Sequence, residues 1–101
     1  MADIVIFDQT ITMDYTGNLF VIVGGKQSYD SSGAHTWQAS VLLDGINIGF
    51  TGGGGAQTDA LSVFAGASNL PAGQHNIKFV WFNDPSVNLS QVNMLIQTTY
   101  K

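Results

Sequence analysis

Residues 69–83, NLPAGQHNIKFVWFN, set out most plainly how apolar and polar side chains are arranged in this chain. Pro71 fixes φ for a tight bend, and Gly73 can take the positive φ that such a bend often requires. His75, Ile77, Phe79 and Trp81 then alternate with Gln74, Asn76 and Lys78, the two-residue period of a half-buried strand. Past Lys78 the polar face ends, because Val80 and Phe82 are apolar too. A strand that is apolar on both sides is expected to be covered on both sides.

The same period recurs along the chain. Residues 4–13 are rich in Ile, Val, Phe and Thr and read as a strand whose first four residues, Ile4, Val5, Ile6 and Phe7, have no polar face. Gly17 and Asn18 turn the chain. Residues 19–23 are apolar on both faces and end at Gly24 and Gly25, after which a polar loop is expected over 26–34. Residues 35–43 set Trp37, Ala39, Val41 and Leu43 against Thr36, Gln38, Ser40 and Leu42. Asp44-Gly45 follows, one of the strongest short-range hairpin signals. The return strand shows Ile46, Ile48 and Phe50 on one face and Asn47 and Gly49 on the other, then a glycine-rich excursion over 52–55. A short strand is expected over 61–65, a turn over 83–86 and a last strand over 87–100. In that last strand Val92, Met94, Ile96 and Tyr100 oppose Asn93, Leu95, Gln97 and Thr99.

No segment repeats apolar residues at helical spacing over three turns. Strands at intervals of about ten residues indicate an all-β fold, an antiparallel β-sandwich or compact jelly roll, built as a single domain over residues 1–101. Each strand of a two-sheet sandwich should keep one polar face. The first strand, the 19–23 strand, the end of the Phe79 strand and the last strand break that rule. Their surplus apolar positions, Phe7, Phe20, Ile22, Phe82 and Leu95, are expected where copies of the chain pack on one another, with partial cover by loops as the plainer reading.

Composition sharpens this picture. Charged residues are 10% of the chain, against roughly 25% in an average soluble domain. Arg and Glu are absent, and the seven acidic residues are all Asp, a residue suited to turns. The net charge is −4 and the only cations are Lys26, Lys78 and Lys101, too few and too scattered to neutralise the phosphates of a nucleic acid. The chain has no Cys, which removes disulfides, thiolate metal sites and thiol nucleophiles together. The longest apolar run, residues 19–23, is far short of the ~20 residues that span a bilayer, and no signal peptide is visible at the N-terminus. Synthesis in a cytoplasm and no membrane partner are expected.

The candidate chemistry is thin. Gly24-Gly25-Lys26 lacks the upstream Gly and the following Ser or Thr of a phosphate loop, and the glycines at 52–55 have no Lys. No G-x-S-x-G occurs, and His35 and His75 each begin the apolar face of a strand, where a hydrogen-bonded packing role is the commoner one. Asp30-Ser31-Ser32-Gly33 lacks the further acidic spacing of a calcium loop. Asn88-Leu89-Ser90 is a formal glycosylation sequon. Trp37 and Trp81 lie on inward faces, so of the aromatics able to stack on a sugar only Tyr29, in a polar segment, is placed near a ligand. The chain is therefore expected to be no enzyme and to need no cofactor.

Three stretches carry a resemblance: VLLDGINIG at 41–49, LPAGQHNIKFVW at 70–81 and MLIQTTY at 94–100. In this order they resemble the small jelly rolls of tumour-necrosis-factor/C1q-like architecture found in bacteriophage virion proteins, both head decoration (cement) proteins and fibre tips. The resemblance covers about the last two thirds of the chain, and its motifs are structural. It implies a threefold homotrimer, with the sheet that holds the first and last strands nearest the axis. The chain begins at Met1 and shows no coiled-coil, collagen-like or β-helical shaft, which favours a decoration protein on the capsid surface of a virion, made in the host cytoplasm, with the major capsid protein as partner. Ile4, Val5 and Ile6, apolar and near a chain end, are the expected capsid attachment. The alternative is a receptor- or carbohydrate-binding fibre tip, and only there is a glycan ligand expected.

Overall fold

The computed structural model describes residues 2–29, 35–55, 59–83 and 87–100. They form seven strands: β1 (Ala2–Met13), β2 (Gly17–Tyr29), β3 (His35–Leu43), β4 (Ile46–Gly55), β5 (Asp59–Leu70), β6 (Gly73–Asn83) and β7 (Val87–Tyr100). Two antiparallel sheets, β1-β6-β3-β4 and β5-β2-β7, pack face to face as a β-sandwich. The alternation read from the sequence places the core. Trp37, Ala39, Val41 and Leu43 of β3 and Ile77, Phe79 and Trp81 of β6 meet Leu19, Val21 and Val23 of β2 and Leu61, Val63 and Ala65 of β5, all buried.

Several strands run longer than expected. β2 continues through Lys26 to Tyr29, where a loop was expected to begin, because its far end is paired on both sides: Lys26 and Gln27 face Ala60 and Asp59 of β5 and Ser90 and Leu89 of β7. β5 likewise exceeds the expected 61–65, since β2 templates its full length. The glycines at 52–55 belong to β4, held in register opposite residues 35–38 of β3. The remainder of the expected loop, residues 30–34, and most of the 83–86 turn lie outside the described residues.

The return strand departs from its expected face. A register shift opposite Val41 and Leu42 gives β4 one extra residue, Ile48. As a result Gly49 faces inward beside Val41, while Phe50 pairs with Ser40 and is exposed. Only a glycine fits at 49: a Cβ there would lie 2.7 Å from Ala65 Cβ and 3.1 Å from the Phe64 carbonyl oxygen. β4 and β5 thus abut and close one side of the sandwich. The edge strands of the other side are β1 and β7, one from each sheet. The expectation that the first and last strands share a sheet is therefore not met. β1 is held to β6 along its whole length, with Phe7 opposite Phe79 and Asp8 opposite Lys78, which leaves β2 as the partner of β7.

Candidate functional site

The three-stranded sheet presents an outer face on which the surplus apolar residues gather. Ile22 at the centre of β2 pairs with Phe64 of β5 on one side and Leu95 of β7 on the other, so the three form one row across the sheet. Phe20, two residues along β2, stands between Gly66 and Gln97 in the next row. Phe64 is 74% exposed, Leu95 57%, Phe20 52% and Ile22 37%, values far from those of core residues. The two rows flanking it, Ser62–Gly24–Asn93 and Gly66–Phe20–Gln97, hold no charged residue. A depression of about 390 Å³ lies beside Phe20, lined also by Asn18, Gly66, Ala67, Ser68 and Asn69.

Of the expected interface residues, Phe20, Ile22 and Leu95 lie together on this face, and the other two do not. Phe7 points inward, partly buried, its ring 6.3 Å from that of Phe79. Phe82 is half-buried on the outer face of the other sheet, in register with Gln38. The register shift at Ile6 puts Phe7 on the inner side, since it reverses the alternation set by Ile4 and Val5. Phe64 was missed, although the alternation of Ser62, Phe64 and Gly66 against Leu61, Val63 and Ala65 already carries the signal. The expected attachment residues lie on β1, an edge strand. Ile4 and Val5 are about half exposed, and Ile6 packs partly against the core.

A second cluster ties the turns at one end of the sandwich. Asp44 and Gly45 take φ values of 50° and 84°, the left-handed pair of a type I′ hairpin, which the Asp-Gly dipeptide tolerates. The Asp44 side chain reaches across to β6. Its Oδ1 accepts the Asn76 backbone N–H at 2.8 Å and its Oδ2 lies 2.7 Å from His75 Nδ1. The Asp44 N–H returns a bond to the Asn76 carbonyl at 2.8 Å. His75 Nε2 lies 2.7 Å from the Pro71 carbonyl oxygen. A carboxylate and a carbonyl only accept, so both ring nitrogens must donate and His75 is an imidazolium in this arrangement.

The electrostatics agree with that assignment. The hydrogen bond to Asp44 and then the bond to Pro71 raise the His75 pKa above its ordinary 6.5, against the opposing effect of burial. The bond from His75 and then the Asn76 N–H lower Asp44 below the ordinary 3.8. Nearby, Asn76 Nδ2 donates to Asp8 Oδ1 at 2.6 Å. The cluster is a cross-strand brace. It contains no hydroxyl or thiol nucleophile, and His75 already has both nitrogens engaged, which fits the hydrogen-bonded packing role read from the sequence.

The other candidate motifs are placed as follows. Gly24, Gly25 and Lys26 lie within β2, so their backbone groups serve the sheet rather than a phosphate. Trp37 and Trp81 are buried and stacked on each other, with ring centroids 5.5 Å apart at 21°, and neither is presented to a sugar. The sequon lies in β7, with Asn88 opposite Ser28. Among the described residues no group of three or more His, Asp or Glu is placed to hold a metal ion, and no helix is long and apolar enough to cross a membrane. Residues 30–33 and the side chains of Tyr29 and His35 lie outside the described part. Compared with protein-family models, curated proteins and solved structures, the chain gave no match.

Proposed function

We propose that this chain is a non-enzymatic structural protein that works as a homotrimer and decorates the surface of a phage capsid. The observation that carries the self-assembling part is the row Phe64–Ile22–Leu95 with Phe20 beside it, apolar, uncharged and turned to water in a single copy. A contiguous apolar patch of a few hundred Å² is of the size that often marks an interaction site. With large side chains offering roughly 200 Å² each, the exposed fractions amount to roughly 400 Å² per copy, or about 10 kcal/mol of transfer free energy. Association costs about 4–15 kcal/mol in lost freedom, so the face holds copies together when most of it is covered at once. Threefold packing about this sheet gives each copy two neighbours and covers it from both sides.

The capsid part of the reading rests on the sequence resemblance of 41–49, 70–81 and 94–100 to phage virion jelly rolls. Attachment falls to β1, an edge strand whose Ile4 and Val5 are about half exposed. Three such contacts per trimer act together through avidity. Sedimentation at micromolar concentration tests the assembly: the wild type is expected at the trimer mass, and Leu95→Asp or Phe20→Asp at a lower mass with the fold retained. A monodisperse wild-type monomer would refute the self-assembling role. Electron microscopy of assembled particles tests the location, with hundreds of copies on the head expected and a few tens at a tail tip counting against it.

A further inference from the structure

We infer that the free edge of β7 is a pairing surface for β7 of a second copy, joined antiparallel about a two-fold axis at Leu95. This surface is the backbone edge of the strand, distinct from the outer face invoked above, and the inference holds whether or not that face builds a trimer.

An unpaired strand offers a row of N–H and C=O groups, and monomers blunt it with charges, proline, bulges or cover. Three of the four edges here are guarded. β4 and β5 abut at Gly49, and β1 carries the exposed Asp8 and a register shift at Ile6. β7 is different. It is the longest strand, it pairs with β2 on one side only, and its sequence VNLSQVNMLIQTTY contains neither a charged residue nor a proline. Its one irregularity, Gln91 at φ 54°, lies beside the register shift near Gly24 and leaves residues 92–100 regular. Among the described residues nothing pairs with the other side of that stretch.

Self-complementarity identifies the occupant. With Leu95 on the axis, Met94 meets Ile96 of the second copy, Asn93 meets Gln97 and Val92 meets Thr98. On the outer face the Leu95 pair extends the row to Phe64–Ile22–Leu95–Leu95–Ile22–Phe64 across six strands, with an amide pair on either side. On the inner face Val92, Met94 and Ile96 pack against the core but are only half-buried, because among the described residues no strand lies beyond β7. A second β7 would cover them. Seven residues per copy form a ladder of about 23 Å at ~3.3 Å per residue. A two-fold contact closes on itself, so it gives a discrete pair rather than a fibre.

The register makes the test specific. In the double variant N93K/Q97K both cross-axis pairs become Lys opposite Lys, and in N93K/Q97E both become Lys opposite Glu. Within one chain these positions are four residues apart on a strand and do not touch. Sedimentation equilibrium of the wild type should show even-numbered species, dimers or pairs of trimers. The Lys/Lys variant should weaken that pairing about tenfold or more, and the Lys/Glu variant should restore it at low salt. Because the chain has no Cys, Leu95→Cys offers a second readout. Two directly opposed strand residues are within disulfide reach, so oxidation should yield a covalent dimer, which Asn93→Cys should not. A wild type confined to trimers refutes the edge pairing and leaves the trimer standing, whereas a plain dimer supports the pairing and refutes the trimer. Equal pairing in the Lys/Lys and Lys/Glu variants refutes the register.

Discussion

The brace between Asp44 and His75 makes stability depend on pH in a direction the geometry fixes. His75 is 8% exposed and donates from both nitrogens, so the charged form is the one the fold selects. Its raised pKa means that the contribution is fully present below pH 6.5 and is lost as pH rises through the folded value. Asp44 works the other way: its lowered pKa makes its contribution present above pH 3.8 and lost as pH falls through its own folded value. Stability from this cluster is therefore greatest between the two, in the mildly acidic range. The charged groups around the imidazole are few: Asp44 in contact, and Asp8 reached through Asn76 and paired in register with Lys78. A charge-assisted bond contributes about 1.5–3 kcal/mol, but the Asp44 side chain is 45% exposed and water screens it, so about 1–2 kcal/mol is expected here.

The perturbation is Asp44→Asn, which keeps the shape and removes the charge, beside His75→Phe, which removes the titrating ring. Urea midpoints measured from pH 5 to 9 give the profile. The wild type should lose stability above pH 6.5, with a slope below the single-proton limit of about 1.4 kcal/mol per pH unit. Asp44→Asn should cost about 1–2 kcal/mol at pH 6 and flatten the slope. Subtracting the His75→Phe profile isolates the contribution of His75. A wild-type profile that is level from pH 5.5 to 8.5, or an Asp44→Asn profile parallel to the wild type, would show that the imidazolium is not what the fold selects.

The remaining predictions concern packing and attachment. Gly49→Val forces a branched side chain onto Ala65 and Phe64 where β4 meets β5, and a loss of about 1–3 kcal/mol in urea unfolding is expected; an unchanged midpoint would mean that the two strands do not abut. Attachment to particles should change little between low and high salt, since only ten side chains are charged and exposed pairs contribute about 0–1 kcal/mol each. Release by moderate salt in a pelleting assay would count against apolar attachment. Deletion of residues 1–6 should weaken binding to particles more than it weakens the trimer, and full attachment of the truncated trimer would remove β1 from the attachment surface.

Much of the fold could be read from period alone. β3 and β6 alternate cleanly, and their inward residues are the buried ones. Asp44-Gly45 marked its hairpin to the residue. The failures come where pairing, not side-chain pattern, decides. Residues 26–29 look polar enough for a loop, yet they are strand because β7 pairs with all four and β5 with Lys26 and Gln27. The register shifts at Ile6 and Ile48 add one residue each and reverse the face that strict alternation assigns, which moved Phe7 inward and Phe50 outward. Nothing in the local sequence requires either shift. Gly49 explains the second only once β5 is seen against it. The reach of Asp44 to His75 spans 31 positions and follows from strand order, which periodicity does not encode.

The economy of charge connects the brace to the surfaces. Among the described residues the Asp44–His75 contact joins two turns, and its carboxylate does three jobs: it accepts from a ring, accepts from a backbone N–H and sits in the left-handed turn. With so few charges, those present in β1, β3–β4 and β6 serve the closed end of the fold and one edge. The outer face of β5-β2-β7 between Ser62 and Gln97 has none, and neither has β7 along its whole length. On a monomer that distribution is a liability, since nothing there repels another chain. It becomes useful when the face and the edge meet copies, because an uncharged apolar row carries no charge-desolvation cost on burial and an uncharged edge sets no like charges against each other across a two-fold axis. The net charge of −4 then works at longer range, keeping assemblies apart outside these two surfaces without opposing contact within them.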